Sequence, residues 1–347
     1  MKIARLYSFD DIRIEDIPVP EPGPRDALVR TRACGICSGD VMPWYIEKKA
    51  PVVIGHEPAG VVAAVGKDVT SCKKGARVFV HHHAPCMVCR YCRRGDHVQC
   101  ETWRSSYIIP GGIAEYILVP SVNLEHDTII IPDTMSFEDA TLIEPVACVV
   151  KGLRRARLKK GDTVLMIGLG VMGMIHVLLL KRYGAGRVIA ADRNPYRLNK
   201  ALGFGADAVI DVTTAELSQA LQDLTGGEMA ELVVVGPNSA EAMMQGMECV
   251  RPGGQVLFFT PAKPGEQLAV DPNHLYFRDI DIITSYSCGP DDTADACELI
   301  AQKVVSAEKL VTHRFPIERT DEAFKLTARA GESLKSLIVF PWNDAVS

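Results

Sequence analysis

The 347-residue sequence predicts an α/β protein of two domains: a doubly wound parallel sheet and a small twisted β-barrel that carries a metal-binding lobe. Three observations predict this architecture. An apolar strand, a glycine-rich turn and an apolar helix follow one another over residues 163–180. Short strands and turns alternate over residues 1–80, and four cysteines lie close together in residues 86–100. A chain of this length is long enough for two separate hydrophobic cores.

The composition indicates the cellular compartment and argues against some classes of partner. Hydrophobic residues make up 47% of the chain and charged residues 23%, as in an ordinary globular protein. The formal net charge of −5 and the lack of a long basic run argue against nucleic acid or an anionic membrane as a partner. Residues 1–5 lead directly into a strand-like segment instead of the apolar core of a signal peptide. Together with 11 cysteines, an odd number, this favours the reducing cytoplasm.

The first 80 residues predict the barrel. Prolines break residues 1–33 into short strands, of which residues 27–33 form the last. Residues 61–65 and 75–80 continue the alternation of apolar strands and turns. This pattern is typical of a small, strongly twisted sheet.

Four cysteines have the spacing C-x2-C-x2-C-x7-C, which allows all four sulfurs to face one centre: Cys86, Cys89, Cys92 and Cys100. Four thiolates in tetrahedral coordination, with no open position, are typical of a structural zinc site. One alternative is an iron–sulfur cluster, whose bacterial pattern places the fourth cysteine sooner. Disulfide bonds are the other. The spacing favours structural zinc over both.

A second metal site is predicted nearer the N-terminus. Cys37 closes a C-x2-C pair with Cys34, and the pair His56 and Glu57 follows the next apolar run. A thiolate, an imidazole and a carboxylate at strand-to-loop junctions form the mixed ligand set of an open catalytic zinc site. The alternatives are a hydrogen-bonded core histidine for His56 and a redox-active pair for the two cysteines.

Three consecutive histidines, His81, His82 and His83, precede the four-cysteine cluster. Neighbouring side chains of an extended chain point to opposite faces, so a metal site made from this triplet is disfavoured. We expect one of the three to line a substrate pocket instead.

Residues 163–167 predict a buried parallel strand because they form a continuous apolar run rich in branched side chains. A G-x-G-x-x-G pattern follows, and residues 174–180 predict an apolar helix. In this position the glycines let the backbone approach a pyrophosphate, and the helix N-terminus supplies oriented N–H groups. We therefore predict a Rossmann dinucleotide-binding domain whose motif residues are Gly168, Gly170, Val171, Met172 and Gly173.

The end of the second strand predicts the choice of dinucleotide. Residues 187–191 lead to Asp192, about 20 residues beyond the glycine motif, where a carboxylate binds the ribose of NAD and repels the 2′-phosphate of NADP. Arg193 beside it weakens this argument because an arginine can bind that phosphate. NAD is favoured over NADP.

Three more strand ends complete the predicted sheet, at residues 232–236, 256–260 and 281–285. Ligands of such sheets bind outside the carboxyl ends of the strands. The candidates for the nicotinamide side are Val235, Gly236, Thr260, Ser285 and Tyr286, and packing within the domain is the alternative for each.

The order of these motifs resembles the zinc-dependent medium-chain alcohol dehydrogenases over essentially the whole chain. The segment 34–37, the sequence Gly-His-Glu at 55–57, the cysteine lobe and the glycine motif carry the resemblance, and residues 111–116 match a conserved strand of the family's barrel. Glu144, followed by a proline, stands where the sorbitol, polyol and threonine dehydrogenase branch has an acidic residue near its metal.

The resemblance implies a GroES-like catalytic domain at residues 1–149, with the zinc lobe at about 81–104, a Rossmann domain at 150–287 and a return to the catalytic domain at 288–347. It also implies two zinc ions per chain, one catalytic and one structural, and a homodimer or homotetramer.

Within this family, Cys37 and His56 are the expected ligands of the catalytic zinc, and Glu57 and Glu144 compete for the third place. Arg197 stands where sorbitol-type members have an arginine that contacts the adenosine moiety. The implied reaction interconverts a secondary alcohol (a polyol, amino alcohol or cyclic alcohol) and its ketone by hydride transfer. The alternatives are a zinc-free quinone or enoyl reductase of the same superfamily and a non-catalytic nucleotide-binding protein.

The sequence departs from the family pattern in the proton relay. The family has Cys-Gly-Ser/Thr-Asp followed by a histidine two residues later, whereas this chain has Ser38 before the glycine and Met42 in place of the histidine. We expect Ser38, Glu57, Glu144 or one of residues 81–83 to carry the proton. The substrate-contacting arginine of sorbitol-type members is also missing at residues 286–288, which makes sorbitol itself doubtful.

Overall fold

The structure is a computed structural model that describes residues 1–342. The chain forms two compact units. The barrel unit consists of Met1–Ala147 and Cys288–Ser347, and the Rossmann unit consists of Cys148–Ser287. The boundary predicted after residue 149 lies two residues beyond the one that the structure has.

The strands are β1 (Lys2–Ser8), β2 (Asp11–Asp16), β3 (Ala27–Gly35), β4 (Val52–Val53), β5 (Glu57–Val65), β6 (Arg77–Val80), β7 (Tyr116–Val119), β8 (Thr128–Ile130), β9 (Thr163–Ile167), β10 (Arg187–Asp192), β11 (Ala208–Asp211), β12 (Ala230–Val235), β13 (Val250–Phe258), β14 (Asp281–Thr284), β15 (Val311–Phe315) and β16 (Lys335–Val339). The helices are α1 (Pro43–Ile46), α2 (Glu101–Ser105), α3 (Ser121–His126), α4 (Phe137–Ala140), α5 (Ile143–Arg155), α6 (Val171–Leu180), α7 (Pro195–Gly203), α8 (Leu217–Thr225), α9 (Ala240–Glu248), α10 (Pro272–Arg278), α11 (Pro290–Ala301), α12 (Ala307–Leu310) and α13 (Thr320–Arg329). Within residues 1–342, no helix is long and apolar enough to cross a membrane.

The barrel unit is built from both ends of the chain. Its seven-stranded sheet has the order β15-β16-β3-β5-β6-β8, with β7 also pairing with β3, and a second sheet has the order β2-β1-β4. Strands β3 and β5 are antiparallel, with Gly35 opposite Glu57, and β16 lies antiparallel to the other side of β3. This register decides which side chains meet in the candidate site.

The Rossmann unit contains a parallel six-stranded sheet with the order β11-β10-β9-β12-β13-β14. The apolar run Thr163–Ile167 forms the central strand β9, and its neighbours β10 and β12 lie on opposite sides of it. The chain order therefore changes direction at β9, which is the place where sheets of this kind bind their ligands. The predicted doubly wound sheet is confirmed.

Helices α4 and α5 are separate, and Pro145 takes a place in the first turn of α5, where a missing N–H costs nothing. Helix α11 ends at Ala301, and α12 follows it. One local expectation was wrong. The expected strand over 111–116 begins only at Tyr116, since Gly111 has a φ of +154° and packs against the Val53 carbonyl.

Candidate metal centres and nucleotide site

The pairing of β3 with β5 assembles the first candidate site. Cys37 lies two residues beyond the end of β3, and Glu57 begins β5 directly opposite Gly35. His56 precedes that strand. One ligating atom from each of Cys37, His56 and Glu57 lies within 4.8 Å of the other two. The structure thus brings together three of the four residues predicted to bind the catalytic metal.

Asp40 orients His56. The Asp40 side chain is buried, and its Oδ2 lies 3.0 Å from Nδ1 of His56, which leaves Nε2 of the ring for a metal. Burial works against both charges, but the pairing prevails: the nearby Asp40 and Cys37 raise the pKa of His56 well above its usual value, and His56 lowers the pKa of Asp40. The sequence contained Asp40 only as part of the family motif, so its supporting role was missed.

Lys335 is a buried partner of Glu57. Its Nζ lies 2.5 Å from Oε2 of Glu57 and donates a hydrogen bond to the carbonyl of Ile36 at 3.0 Å. Lys335 is only 1% exposed, and although burial disfavours the ammonium, the Glu57 carboxylate raises the pKa of Lys335. A Cβ on Gly35 would lie 1.8 Å from Oε2 of Glu57, so only glycine fits there.

Sequence reasoning did not find Lys335, although a signal was present. A lysine as the first residue of the apolar strand β16 is unusual, because buried lysines occur almost only with a partner. The pairing of β16 with β3 explains how a residue from the C-terminal segment reaches this site.

Glu144 lies in a neighbouring group of side chains. It is 5% exposed and lies in the first turn of α5, and one of its carboxylate oxygens lies within 4.8 Å of ring nitrogens of both His81 and His82. The rings of His56 and His82 are 4.7 Å apart, so the two groups adjoin. Desolvation lowers the pKa of His82 well below its usual value, and neighbouring histidines reinforce this effect.

Ser38 lies in the short turn that carries Cys37. The amide of Gly39 donates a hydrogen bond to Sγ of Cys37 at 3.3 Å, and the amide of Asp40 donates to the Cys37 carbonyl. Ser38 itself is half-buried. The turn therefore places Ser38 directly after the predicted metal ligand in the chain.

The four cysteines of the predicted lobe meet as expected from their spacing. The sulfurs of Cys86, Cys89, Cys92 and Cys100 all lie within 4.8 Å of one another, and the amide of Cys86 donates to Sγ of Cys100. Trp103, 2% exposed, packs against them. All eleven cysteines fall within residues 1–342 and none forms a disulfide. Four sulfurs around one point fit a tetrahedral zinc ion.

The glycine motif has the geometry that its position predicted. Gly168 has a φ of +86°, and a Cβ on Gly173 would lie 2.0 Å from the Gly168 carbonyl, so the turn and the close approach of α6 both require glycine. A Cβ on Gly170, the residue before α6, would meet no protein atom within 4 Å. The motif therefore leaves open space at a helix N-terminus, where a pyrophosphate binds.

A cavity of about 410 Å³ lies beside this turn, and Gly168, Asp192 and Arg193 line it. Asp192 also holds the turn in place, because its Oδ2 accepts from the Leu169 amide at 2.6 Å. Two further carboxylates that the sequence did not suggest, Glu216 and Glu241, line the same cavity. The other predicted cofactor residues do not line it and stay predictions: Gly170, Val171, Met172, Gly173, Arg197, Val235, Gly236, Thr260, Ser285 and Tyr286.

Comparison with known proteins agrees with this arrangement. Residues 23–133 match the alcohol dehydrogenase GroES-like domain, and residues 171–302 match the zinc-binding dehydrogenase domain. Sorbitol dehydrogenase of Mus musculus is 32% identical over 98% of this chain and 96% of its own length. The chain belongs to the zinc-dependent medium-chain alcohol dehydrogenase family.

Two solved structures of this family show the same fold. An alcohol dehydrogenase from Thermus sp. ATN1 superimposes with a TM-score of 0.87 at 27% identity, and the match covers 98% of this chain and 99% of that one. A zinc-binding dehydrogenase from Sinorhizobium meliloti 1021, bound to NADP, has the same TM-score and coverage at 28% identity. The predicted GroES-like and Rossmann architecture is confirmed.

Membership of the medium-chain alcohol dehydrogenases also confirms the predicted class of reaction. The protein is a zinc-dependent oxidoreductase that acts on CH–OH groups of alcohols or polyols, with a nicotinamide dinucleotide as its cofactor. The zinc-free reductase and the non-catalytic binding protein, which the sequence left as alternatives, do not account for these matches.

Proposed function

We propose that this protein uses NAD to oxidise a secondary alcohol to its ketone, and catalyses the reverse reduction, at a zinc ion held by Cys37, His56 and Glu57. The observation that carries the proposal is the meeting of these three side chains at the junction of β3 and β5. Zinc bound there supplies Lewis-acid chemistry, which favours loss of the proton from the substrate hydroxyl.

The side chains around this point fit a zinc ion. Asp40 binds Nδ1 of His56, so Nε2 is free to ligate. Oε1 of Glu57 is buried and has no hydrogen-bond partner within residues 1–342, while Lys335 lies against Oε2. A buried carboxylate oxygen without a partner is costly unless a cation or donor binds it. Glu57 is therefore our proposed third ligand in preference to Glu144, which groups with His81 and His82 instead.

Ser38 Oγ is our proposed proton relay: it would accept the proton that leaves the substrate hydroxyl while its own proton passes to solvent. Its hydroxyl stands one residue away from the position of the hydroxyl in the family motif and directly follows a proposed metal ligand. Loss of one proton-transfer group lowers rates by about 10² to 10⁴. We expect Ser38→Ala to lower kcat by about 10²-fold at neutral pH, and Ser38→Thr, which keeps the hydroxyl, to retain most of it. Equal kcat values for the alanine and threonine variants would assign the proton to another group.

NAD is the proposed dinucleotide because the cavity beside the glycine motif is lined by three carboxylates, Asp192, Glu216 and Glu241. A 2′-phosphate placed among them would be repelled, whereas ribose hydroxyls can donate to them. We expect a kcat/KM at least tenfold higher with NAD than with NADP. Asp192→Ser should reduce this ratio, and a wild-type preference for NADP would overturn the choice.

We further propose that Cys86, Cys89, Cys92 and Cys100 hold the second, structural zinc, so that each chain contains two.

The protein is proposed to work in the cytoplasm as a homodimer or homotetramer. Strand β14 supports self-association because it forms an edge of the parallel sheet and is largely exposed. Light scattering coupled to gel filtration tests the oligomer, and a monomer would contradict it.

The experiment that tests the function measures NADH formation with a panel of polyols, amino alcohols and cyclic secondary alcohols. The expected result is activity on at least one of them, lost on treatment with a chelator in step with one of two zinc ions and restored by added zinc. Activity that persists after that zinc has been removed would contradict the proposal.

A further inference from the structure

The three consecutive histidines differ in their partners. His81 has both ring nitrogens occupied: Nδ1 lies 2.6 Å from Oδ2 of Asp127, and Nε2 lies 3.7 Å from Sγ of Cys288. His83 has its Nδ1 2.5 Å from the Ser106 carbonyl. His82 differs, since its Nδ1 is buried and has no hydrogen-bond partner within residues 1–342.

The position of His82 indicates what this nitrogen binds. Its ring centroid lies 4.7 Å from that of His56, and one of its ring nitrogens lies within 4.8 Å of a Glu144 carboxylate oxygen. Tyr107 is on another side, with the ring centroids 6.0 Å apart. A buried polar atom without a hydrogen-bond partner is unfavourable, so a site that retains one calls for a ligand that satisfies it. Beside a metal ligand, that use is a group of the substrate.

We propose that His82 forms a hydrogen bond with a second hydroxyl of the substrate, on the carbon next to the one that is oxidised, and thereby selects vicinal diols and polyols over monohydric secondary alcohols. An imidazole can donate or accept this bond, as can a hydroxyl. The proposal rests on the proposed function, because it requires the reacting oxygen to bind next to His56.

A metal ion held by His81, His82 and Glu144 is the competing explanation, since their ligating atoms lie within 4.8 Å of one another. The contacts of His81 disfavour it. Asp127 and the thiol of Cys288 already occupy both ring nitrogens, and a third contact, from Oγ1 of Thr293 to Oδ1 of Asp127 at 2.6 Å, fixes the network. A substrate hydroxyl needs His82 alone.

The test compares 2,3-butanediol with 2-butanol, which differ by one hydroxyl, in wild-type protein and in His82→Phe. We expect the wild type to have at least a tenfold higher kcat/KM for the diol. In His82→Phe this ratio should fall by about 10- to 100-fold, with the value for 2-butanol changed by less than about threefold, because the variant loses one hydrogen bond to the diol alone. His82→Asn, whose side-chain amide can replace Nδ1, should restore part of the preference.

His83→Phe is the matched control, since it makes the same change one residue along without removing an unpartnered nitrogen, and its diol preference should match the wild type. If His82→Phe does not fold, His82→Leu takes its place. Equal kcat/KM values for the two alcohols in the wild type, or an unchanged ratio in the variant, would overturn this inference and leave the proposed function intact.

Two other outcomes would also contradict the inference about His82. Failure to oxidise either alcohol, or any other secondary alcohol, contradicts the proposed function and this inference with it. A third metal ion per chain that is present in the wild type and absent from His82→Phe would show that His82 is a metal ligand, which overturns the inference.

Discussion

The two candidate metal centres of the barrel unit are built in opposite ways. In the lobe, four identical ligands come from one short stretch, residues 86–100, and the cysteines pack against Trp103. At the other centre the ligands differ in kind and come from separate strands, and buried charged residues support them: Asp40 behind His56 and Lys335 beside Glu57.

This difference separates a structural role from a chemical one. Four thiolates around one metal leave no coordination position for a substrate. Such a site can be predicted from the spacing of four cysteines that are close together in the sequence. Three ligands of mixed kind would leave a coordination position open for a substrate. The grouping of the three candidate ligands depends on the register of β3, β5 and β16 and on charges held away from water. We therefore expect damage to the lobe to reduce stability and damage to the mixed site to reduce activity.

The largest expected effect is that of Cys37→Ala on activity. Loss of this ligand should lower kcat/KM by at least about 10³-fold, since it removes the metal on which the chemistry depends. Zinc analysis should find one ion per chain instead of two, with a Tm within a few degrees of the wild type. Cys72→Ala, a half-buried cysteine outside both centres, is the control. Substantial activity in Cys37→Ala would remove the distinction between the centres.

Cys100→Ala should lower the stability of the protein, in contrast to Cys37→Ala, which should lower its activity. Loss of a structural zinc removes folding free energy, and we expect a decrease in Tm of about 10 °C or more. Because Trp103 packs against the cysteines, its fluorescence should shift to longer wavelength under native conditions. A variant that keeps its Tm while losing activity would assign the lobe to catalysis.

Lys335→Met tests the buried charges of the mixed site. In protein stripped of zinc by a chelator, it leaves the Glu57 carboxylate buried without a counter-charge, and breaking such a pair costs about 3 to 5 kcal/mol. Urea unfolding should show this loss. The double variant Lys335→Met/Glu57→Gln should recover part of it, because neither charge remains. Additive losses in the double variant would mean that the two residues do not interact.

The smallest expected change in unfolding free energy concerns an ion pair outside both centres, between Asp139 and Lys303. It serves as a reference for the changes made within the centres. Asp139 is buried, and despite desolvation the Ala307 amide and Lys303 lower its pKa. A lowered native pKa means that the stabilisation is complete above the unfolded-state pKa of about 4 and disappears as the pH falls through the native value. Asp139→Asn should cost about 1 to 3 kcal/mol at pH 7. Urea unfolding between pH 7 and pH 3 should show wild type and variant converging at the acid end.

The parts of the molecule that the sequence predicted well are those encoded locally. The lobe follows from the spacing of four cysteines, and β9 with the glycine turn follows from one continuous stretch. Residues of a branched apolar run have few alternatives to a buried parallel strand. The grouping of Cys37, His56 and Glu57 was expected from their residue types at strand-to-loop junctions and from the family resemblance, which left Glu144 as a competing ligand.

The sequence could not predict the contacts that depend on register and on residues far apart in the chain. Lys335 reaches Glu57 only because β16 pairs with β3, and no local pattern records that pairing. Likewise Glu216 enters the nucleotide cavity from a loop after β11.

The position of β16 has a consequence for biosynthesis. The Rossmann unit is contiguous in the chain, from Cys148 to Ser287, whereas the barrel unit lacks two strands of its main sheet until residues 311–339 have been made. A nascent chain that has left the ribosome only as far as α13 already contains the residues of both candidate metal centres but not Lys335. The buried cation beside Glu57 therefore becomes available only after the other residues of that candidate site have been synthesised.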